Sequence, residues 1–176
     1  SLPNWETKFR HDCEQAGQLN LPLEIALHIN NKKELDIFCK AVIKLQPAVK
    51  QIILLSTDRE ATDPLLISET GNIKRHLPSV QVGAGTDFNY RELNCNLFDA
   101  QALDFISYSI DPQEHATDDL TIIENIAAQA DTVQSARAHY GEGKSIHISS
   151  LTLRKRFNPA ATESSDKALS NDRKAD

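Results

Sequence analysis

Short apolar runs alternate with amphipathic segments along this chain. Runs rich in β-branched and aromatic residues predict strands over 23–29, 52–55, 80–82, 103–110 and 146–153. Apolar residues at helical spacing predict helices over 3–18, 35–43, 64–77 and 118–140, the third interrupted at Gly71. Strands that alternate with helices in this way predict parallel βαβ units.

A chain that opens on a helix and closes on a strand fits a slice of a (β/α)8 barrel better than a complete doubly wound domain. We therefore predict an α/β fold in which parallel (β/α) units form part of a TIM barrel over residues 1–158. Residues 159–176 are polar and are predicted to be a disordered loop or tail. A lone arc of strands would leave its edges unpaired, so the rest of the same polypeptide is expected to complete the barrel.

Two details of this prediction concern single elements. The longest helix, 118–140, is expected to bury one stripe of apolar side chains: Ile122, Ile123, Ile126, Ala130 and Val133. The RELN segment at 91–94 is expected to lie in a long loop after the third strand.

Charge and cysteine content narrow the class of protein. The formal net charge of −6 argues against a nucleic-acid partner. No apolar run approaches the ~20 residues of a membrane span, so no membrane partner is expected. The three cysteines are far apart and include no CxxC, which favours a reducing, cytoplasmic location over a disulfide framework. The chain contains no methionine, and we interpret it as an internal part of a longer protein.

Polar clusters follow two of the predicted strands, where parallel α/β folds carry their chemistry. The cluster after 80–82 consists of Thr86, Asp87, Asn89, Glu92 and Asn94. The cluster at the end of 103–110 consists of Tyr108, Ser109, Asp111, Gln113 and His115.

Individual residues in these clusters allow both a chemical and a plain structural interpretation. Glu92 could act as a general acid or base if it is buried, or could be a surface loop residue. His115 could donate to an oxyanion or shuttle a proton, or could bond backbone at the entry of the long helix. His147, like His28, points to one face of its predicted strand and could be a satisfied core histidine. The GxG of Gly83–Gly85 lacks a third glycine, so it predicts a strand-end turn rather than a dinucleotide site.

The run from Gly83 to Asn158 resembles the D-apionate lactonase family. The matching pieces are 83–94 (GAGTDFNYRELN), 102–119 (ALDFISYSIDPQEHATDD), 130–138 (ADTVQSARA), 145–153 (SIHISSLTL) and 156–159 (RFNP), with a weaker match at 21–27 (LPLEIAL). The resemblance implies a TIM-barrel domain within a longer protein that hydrolyses D-apionolactone to D-apionate in apiose catabolism. The chain departs from the family pattern at Asp87 and Asp111, where asparagine is usual, and at Cys95, where arginine is usual.

The sequence thus predicts a hydrolase that opens a small-molecule sugar lactone, with Glu92 and His115 as the proton-transferring residues. Groups that bind the polyol and the nascent carboxylate are expected at Asn94, Tyr108, Asp111, Gln113, His147, Arg156 and Asn158. No cofactor is expected. A metal interpretation would need ligands to converge from Asp87, Glu92, Asp111, His115 and His147, but these residues show no recognised metal spacing such as HxH or HExxH. Two alternatives stay open: a glycoside hydrolase that pairs Glu92 with Asp111, and a non-catalytic carbohydrate-binding domain.

Overall fold

A computed structural model describes residues 4–112 and 118–151 of the chain. Helices and strands alternate along these residues. In chain order the elements are α1 (Trp5–Leu19), β1 (Leu23–Ile29), α2 (Lys32–Leu45), β2 (Val49–Ser56), α3 (Pro64–Ile67), α4 (Thr70–His76), β3 (Gln81–Gly85), α5 (Tyr90–Cys95), β4 (Phe105–Ile110), α6 (Asp119–Tyr140) and β5 (Ser145–Leu151). The predicted tail at 159–176 lies outside the described residues, so that boundary stays a prediction.

The strands form one five-stranded sheet in the order β1-β2-β3-β4-β5, and every neighbouring pair is parallel. Consecutive parallel strands joined through helices are the repeating unit of the TIM barrel. The sheet curls into a half-barrel, which confirms the predicted partial barrel. Within the described part of the chain, β1 and β5 each pair on one side only.

The two faces of the sheet differ in what covers them. Alternate residues of each strand, such as Ile52, Leu54 and Ile106, pack with the helices into the main hydrophobic core on the outer face. The intervening residues face the inside of the curl, where Ile53, Leu55 and Phe105 form a second, smaller apolar cluster. The inner face is therefore apolar toward the middle of the sheet, with polar residues toward both ends of the strands; Glu24, Gln51 and Gln81 lie at the amino ends.

Side-chain caps fix where the two long helices after β1 and β4 begin. The Asn31 side chain accepts a hydrogen bond from the Glu34 amide at 3.1 Å, and the Asp118 carboxylate accepts one from the Thr121 amide at 2.9 Å. Each cap satisfies a donor that the first helical turn leaves free. The α6 start predicted at Asp118 is thus its N-cap.

The buried stripe predicted for α6 is wrong in part. Ile122 is buried, but Ile123 and Ile126 are 64% and 41% exposed. Leu120, one turn earlier, is also exposed. Apolar residues lie on more than one side of this helix, and the sheet can cover only one of them.

Two other expectations are corrected by local contacts. The RELN segment forms α5 instead of a loop, because Leu93 is fully buried and Tyr90 packs on Tyr108 with ring centroids 5.5 Å apart. The helix predicted over 64–77 breaks before Gly71, between Ile67 and Thr70. The Thr70 hydroxyl donates to the Ile67 carbonyl at 2.7 Å, a side-chain bond that competes with helix continuation.

Within the described ranges, no helix combines the length and the apolar character that crossing a membrane requires.

Candidate active site

A row of inward-facing residues crosses the sheet near the carboxyl ends of the strands, and His28, Ser107 and His147 are its polar members. His28 is in register with Leu55 on β2, and Gly85 is in register with Ser107, which is in register with His147. Extending the β2–β3 register by one residue brings Leu55 beside Gly85, so the row crosses the whole sheet. Because strand residues alternate between faces, all members of this row point to the inside of the curl.

One ionisable pair sits at this rim. The Nε2 atom of His28 lies 3.7 Å from Oδ2 of Asp87, and the two side chains are 45% and 43% exposed. His28 is the last inward-facing residue of β1, whereas Asp87 follows the end of β3, so the pair reaches across β2. An imidazole and a carboxylate in this arrangement can exchange or hold a proton.

Three serine hydroxyls continue the rim from Asp87 toward β5. The Ser109 hydroxyl donates to the Asp87 carbonyl at 2.9 Å, and the Ser150 hydroxyl donates to Ser109 at 3.0 Å. The Ser149 hydroxyl lies 3.3 Å from the same Ser109 oxygen. A shift in the β4–β5 register between Tyr108 and Ser109 brings both β5 serines within reach of β4. Hydroxyls grouped in this way suit a polyhydroxylated ligand.

His147 is held against the apolar part of the inner face. Its imidazole stacks on the Phe105 ring, with centroids 4.0 Å apart and planes 13° from parallel. Burial lowers the pKa of His147; the charge of Lys50 acts in the same direction and that of Glu24 opposes it. The ring is therefore favoured in its neutral form, which can both donate and accept a hydrogen bond.

The Ser107 hydroxyl is the most deeply buried polar group of the row. Ser107 is 0% exposed, and its Oγ has no hydrogen-bond partner among the described residues. A buried hydroxyl without a partner is costly. It is therefore available to a ligand or to water on the inner face.

Glu92 lies on α5, just beyond the carboxyl end of β3, and is buried. Its Oε1 accepts a hydrogen bond from Nη1 of Arg91 at 2.9 Å. This hydrogen bond and the charge of Glu92 raise the pKa of the Arg91 guanidinium.

The structure does not bring all the predicted site residues to the inner face. Tyr108 points to the outer face, where its hydroxyl lies 2.8 Å from Oγ1 of Thr132 on α6. Burial raises the pKa of this phenol, although the Thr132 bond opposes the shift. Its predicted role in substrate binding does not fit this placement, because the hydroxyl is used in the core. Asn94 is exposed on α5, and Asp111 directly follows β4 and is half-buried.

Four predicted site residues, Gln113, His115, Arg156 and Asn158, lie outside the described residues. His28, Asp87 and Ser109 were noted in the sequence, but none of them was predicted as a site residue. The alternation of 23–29 was the available signal for His28, since it places this residue opposite the apolar side chains that face the helices.

The metal interpretation receives no support from the described part of the chain. Among residues 4–112 and 118–151, no group of three or more histidine, cysteine, aspartate or glutamate side chains is arranged to hold a metal ion.

Parallel strands in chain order, helices on the outer face and polar side chains at the strand ends define a partial TIM-barrel domain. The family model described as "D-apionate lactonase, TIM barrel domain" matches residues 2–175, and the chain belongs to this family. A curated relative, D-apionate lactonase of Brucella anthropi, is 29% identical over 155 residues, which cover 85% of this chain. The chain spans only 25% of that relative's length. No solved structure matches the chain significantly.

Proposed function

We propose that the chain is part of a hydrolase that opens a sugar-derived lactone, converting D-apionolactone to D-apionate in carbohydrate catabolism. The observation that carries the proposal is the family match over residues 2–175. The relative named D-apionate lactonase supports the same reaction class. The hydroxyl-rich rim supports a polyol substrate, since carbohydrate hydroxyls pair well with serine, histidine and carboxylate groups.

Opening a lactone requires three kinds of group. A base must take a proton from the attacking water, donors must stabilise the oxyanion, and an acid must protonate the leaving alkoxide. We propose Glu92 and His115 as proton-transferring residues; the buried, Arg91-paired carboxylate of Glu92 supports its part.

Substrate binding is proposed for a second set of residues. It keeps the sequence-based candidates apart from Tyr108, whose hydroxyl is bonded to Thr132 on the opposite face of the sheet. The set consists of Asn94, Asp111, Gln113, His147, Arg156 and Asn158. His147 has the strongest support, because it is held in a fixed plane on the inner face.

We further propose that other parts of the same polypeptide complete the barrel. The exposed apolar side chains of Leu120, Ile123 and Ile126 on α6, and of Leu151 on β5, support this proposal. Exposed apolar side chains that cluster on a surface mark sites of protein contact. Among the described residues β5 also pairs on one side only, which leaves an edge where a sixth parallel strand would pair.

The experiment is a lactone-hydrolysis assay on the full-length protein, with acid release from D-apionolactone as the readout. Glu92→Gln and His115→Ala should each lower kcat at least about a hundredfold, the range of a lost proton-transfer group. Glu142→Gln and His139→Ala are matched controls at exposed positions and should retain wild-type rates.

A full-length protein that hydrolyses no sugar lactone would contradict the proposed reaction. If the protein released sugar from aryl glycosides instead, the glycoside hydrolase interpretation would replace it. Unchanged rates in both variants of a lactone-active protein would contradict only the two residue assignments.

A further inference from the structure

The side chains of His28 and Asp87 lie 3.7 Å apart near the carboxyl ends of the strands, an arrangement that could serve lactone hydrolysis. We propose that His28 is the base that takes the proton from the attacking water, and that Asp87 is the positioning residue that orients it. This inference rests on the proposed lactone hydrolysis. It adds a base from β1 to a site for which the sequence named proton-transferring residues after β3 and β4 only.

The orientation of the pair assigns a role to each ring nitrogen. Nε2 of His28 is the atom that faces Asp87, at 3.7 Å from Oδ2. A carboxylate that closes to hydrogen-bond distance of Nε2 in the substrate complex favours the tautomer with hydrogen on that nitrogen, which leaves Nδ1 as the proton acceptor. The arrangement follows the general logic in which a third group orients the base.

The position of the pair supports a chemical role over a plain surface ion pair. His28 belongs to the inner row that also contains His147 and the unpartnered, fully buried hydroxyl of Ser107. Asp87 is tied to β4 through its carbonyl, which accepts the Ser109 hydroxyl at 2.9 Å. Both residues thus lie at the carboxyl ends of the strands, where barrel enzymes place their catalytic residues, and the backbone of Asp87 is held there.

The proposed step balances without any further reactant. Water forms a bond to the lactone carbonyl carbon while one of its protons passes to Nδ1 of His28. The tetrahedral intermediate then collapses and breaks the ring C–O bond. The proton on His28 returns to the leaving alkoxide, directly or through a second acid, and the product is a hydroxy acid that ionises to its carboxylate.

The test is a kinetic comparison of single and double variants in the full-length protein with D-apionolactone. His28→Gln should lower kcat at least about a hundredfold with little change in KM, because the ring acts on the transition state rather than on binding. Asp87→Ala should lower kcat at least about tenfold, whereas Asp87→Asn, whose side-chain oxygen can also accept the Nε2 proton, should keep more of the rate. The double variant should be no worse than His28→Gln alone, because residues that act as a unit are not additive.

Chemical rescue supplies a second measurement that a structural role would not affect. Added imidazole should raise the rate of the His28→Ala variant at least about tenfold. His139→Gln and Asp131→Asn, both exposed on α6, are matched controls and should behave as wild type. Thermal melting of every variant reports whether it has folded, and the half-exposed positions of His28 and Asp87 make large losses of stability unexpected.

The outcomes separate this inference from the proposed function. A wild-type protein without lactonase activity overturns both. A lactone-active wild type whose His28→Gln variant keeps its kcat overturns the pair alone, and so does a raised KM with unchanged kcat, which would make His28 a binding group. Additive losses in the double variant would overturn the role of Asp87 as the orienting group.

Discussion

A single methyl group at Gly85 should disrupt the sheet at the candidate site. A Cβ atom placed on Gly85 would lie 1.8 Å from the carbonyl oxygen of Ser107 on the neighbouring strand. Ordinary C···O contacts between strands are about 3.3 Å, so the strands would have to separate by roughly 1.5 Å. The Ser107 carbonyl also accepts the Thr86 amide at 2.9 Å, and such a shift would break this bond.

The expected cost combines two effects. Overpacking costs about 1–3 kcal/mol, and an unsatisfied buried backbone group costs about 1–3 kcal/mol more. Gly85→Ala should therefore lose about 2–6 kcal/mol of stability. For a domain of about 150–250 residues, the loss corresponds to a fall in Tm of roughly 4–24 °C.

Two other glycines calibrate the assay, which is thermal melting of the full-length protein followed by circular dichroism. At Gly83 the Cβ would meet the Phe105 ring at 2.2 Å, but a side chain can give more than a backbone carbonyl. Gly83→Ala should therefore cost less, about 1–3 kcal/mol. Gly71 lies in α4 with open space around it, and Gly71→Ala should be neutral or stabilise by up to about 1 kcal/mol. If Gly85→Ala melted at the same temperature as Gly71→Ala, the β3–β4 pairing would be wrong.

Two further predictions concern charges and hydroxyls in the core. Burial alone would raise the pKa of Asp104, but hydrogen bonds from Lys74 and the Val82 amide, at 2.6 and 2.7 Å, lower it below its ordinary value. The Asp104 carboxylate contributes its full stability above the ordinary aspartate pKa, and this contribution is lost as pH falls through the lowered pKa. Between about pH 5 and pH 2, Tm should therefore fall less in Asp104→Asn than in wild type. Parallel curves of Tm against pH would contradict this. Tyr108→Phe removes the hydroxyl that lies 2.8 Å from Thr132 and should cost about 1 kcal/mol of stability with kcat within about twofold of wild type. A tenfold loss of kcat would instead return Tyr108 to the substrate site.

The sheet could be predicted because its strands leave clear local patterns. The alternation of 23–29 gave β1 its observed bounds, Leu23–Ile29. The apolar runs in β2 and β4 indicated strands covered on both sides, as parallel barrel strands are. Short connections and helical periodicity between the strands then allowed only parallel pairing of neighbours.

The alternation of β4 indicates the face on which Tyr108 lies, although Tyr108 was predicted to bind substrate. Every residue of β4 is buried, but Tyr108 shares the outer face with Ile106 and Ile110, whereas Phe105 shares the inner face with Ser107 and Ser109. The packing agrees, since Tyr108 contacts α6 and Phe105 stacks on His147 inside the curl. The contact between His28 and Asp87 could not be predicted from local patterns, because it joins a residue of β1 to a residue that follows β3, and these strands are not neighbours.

The inner face is apolar in the middle of the sheet, and this apolar part bears on the chemistry at the carboxyl ends of the strands. Ile53, Leu55 and Phe105 form an apolar cluster beside the polar side chains of Ser107 and His147. Hydrogen bonds and charge interactions are stronger where one side is shielded from water. The apolar cluster also holds His147 in its neutral form, since burial lowers its pKa. Replacing this apolar cluster with polar residues would therefore weaken the interactions of Ser107 and His147, because these groups would lose a partly desolvated environment and His147 would lose its stacking on Phe105.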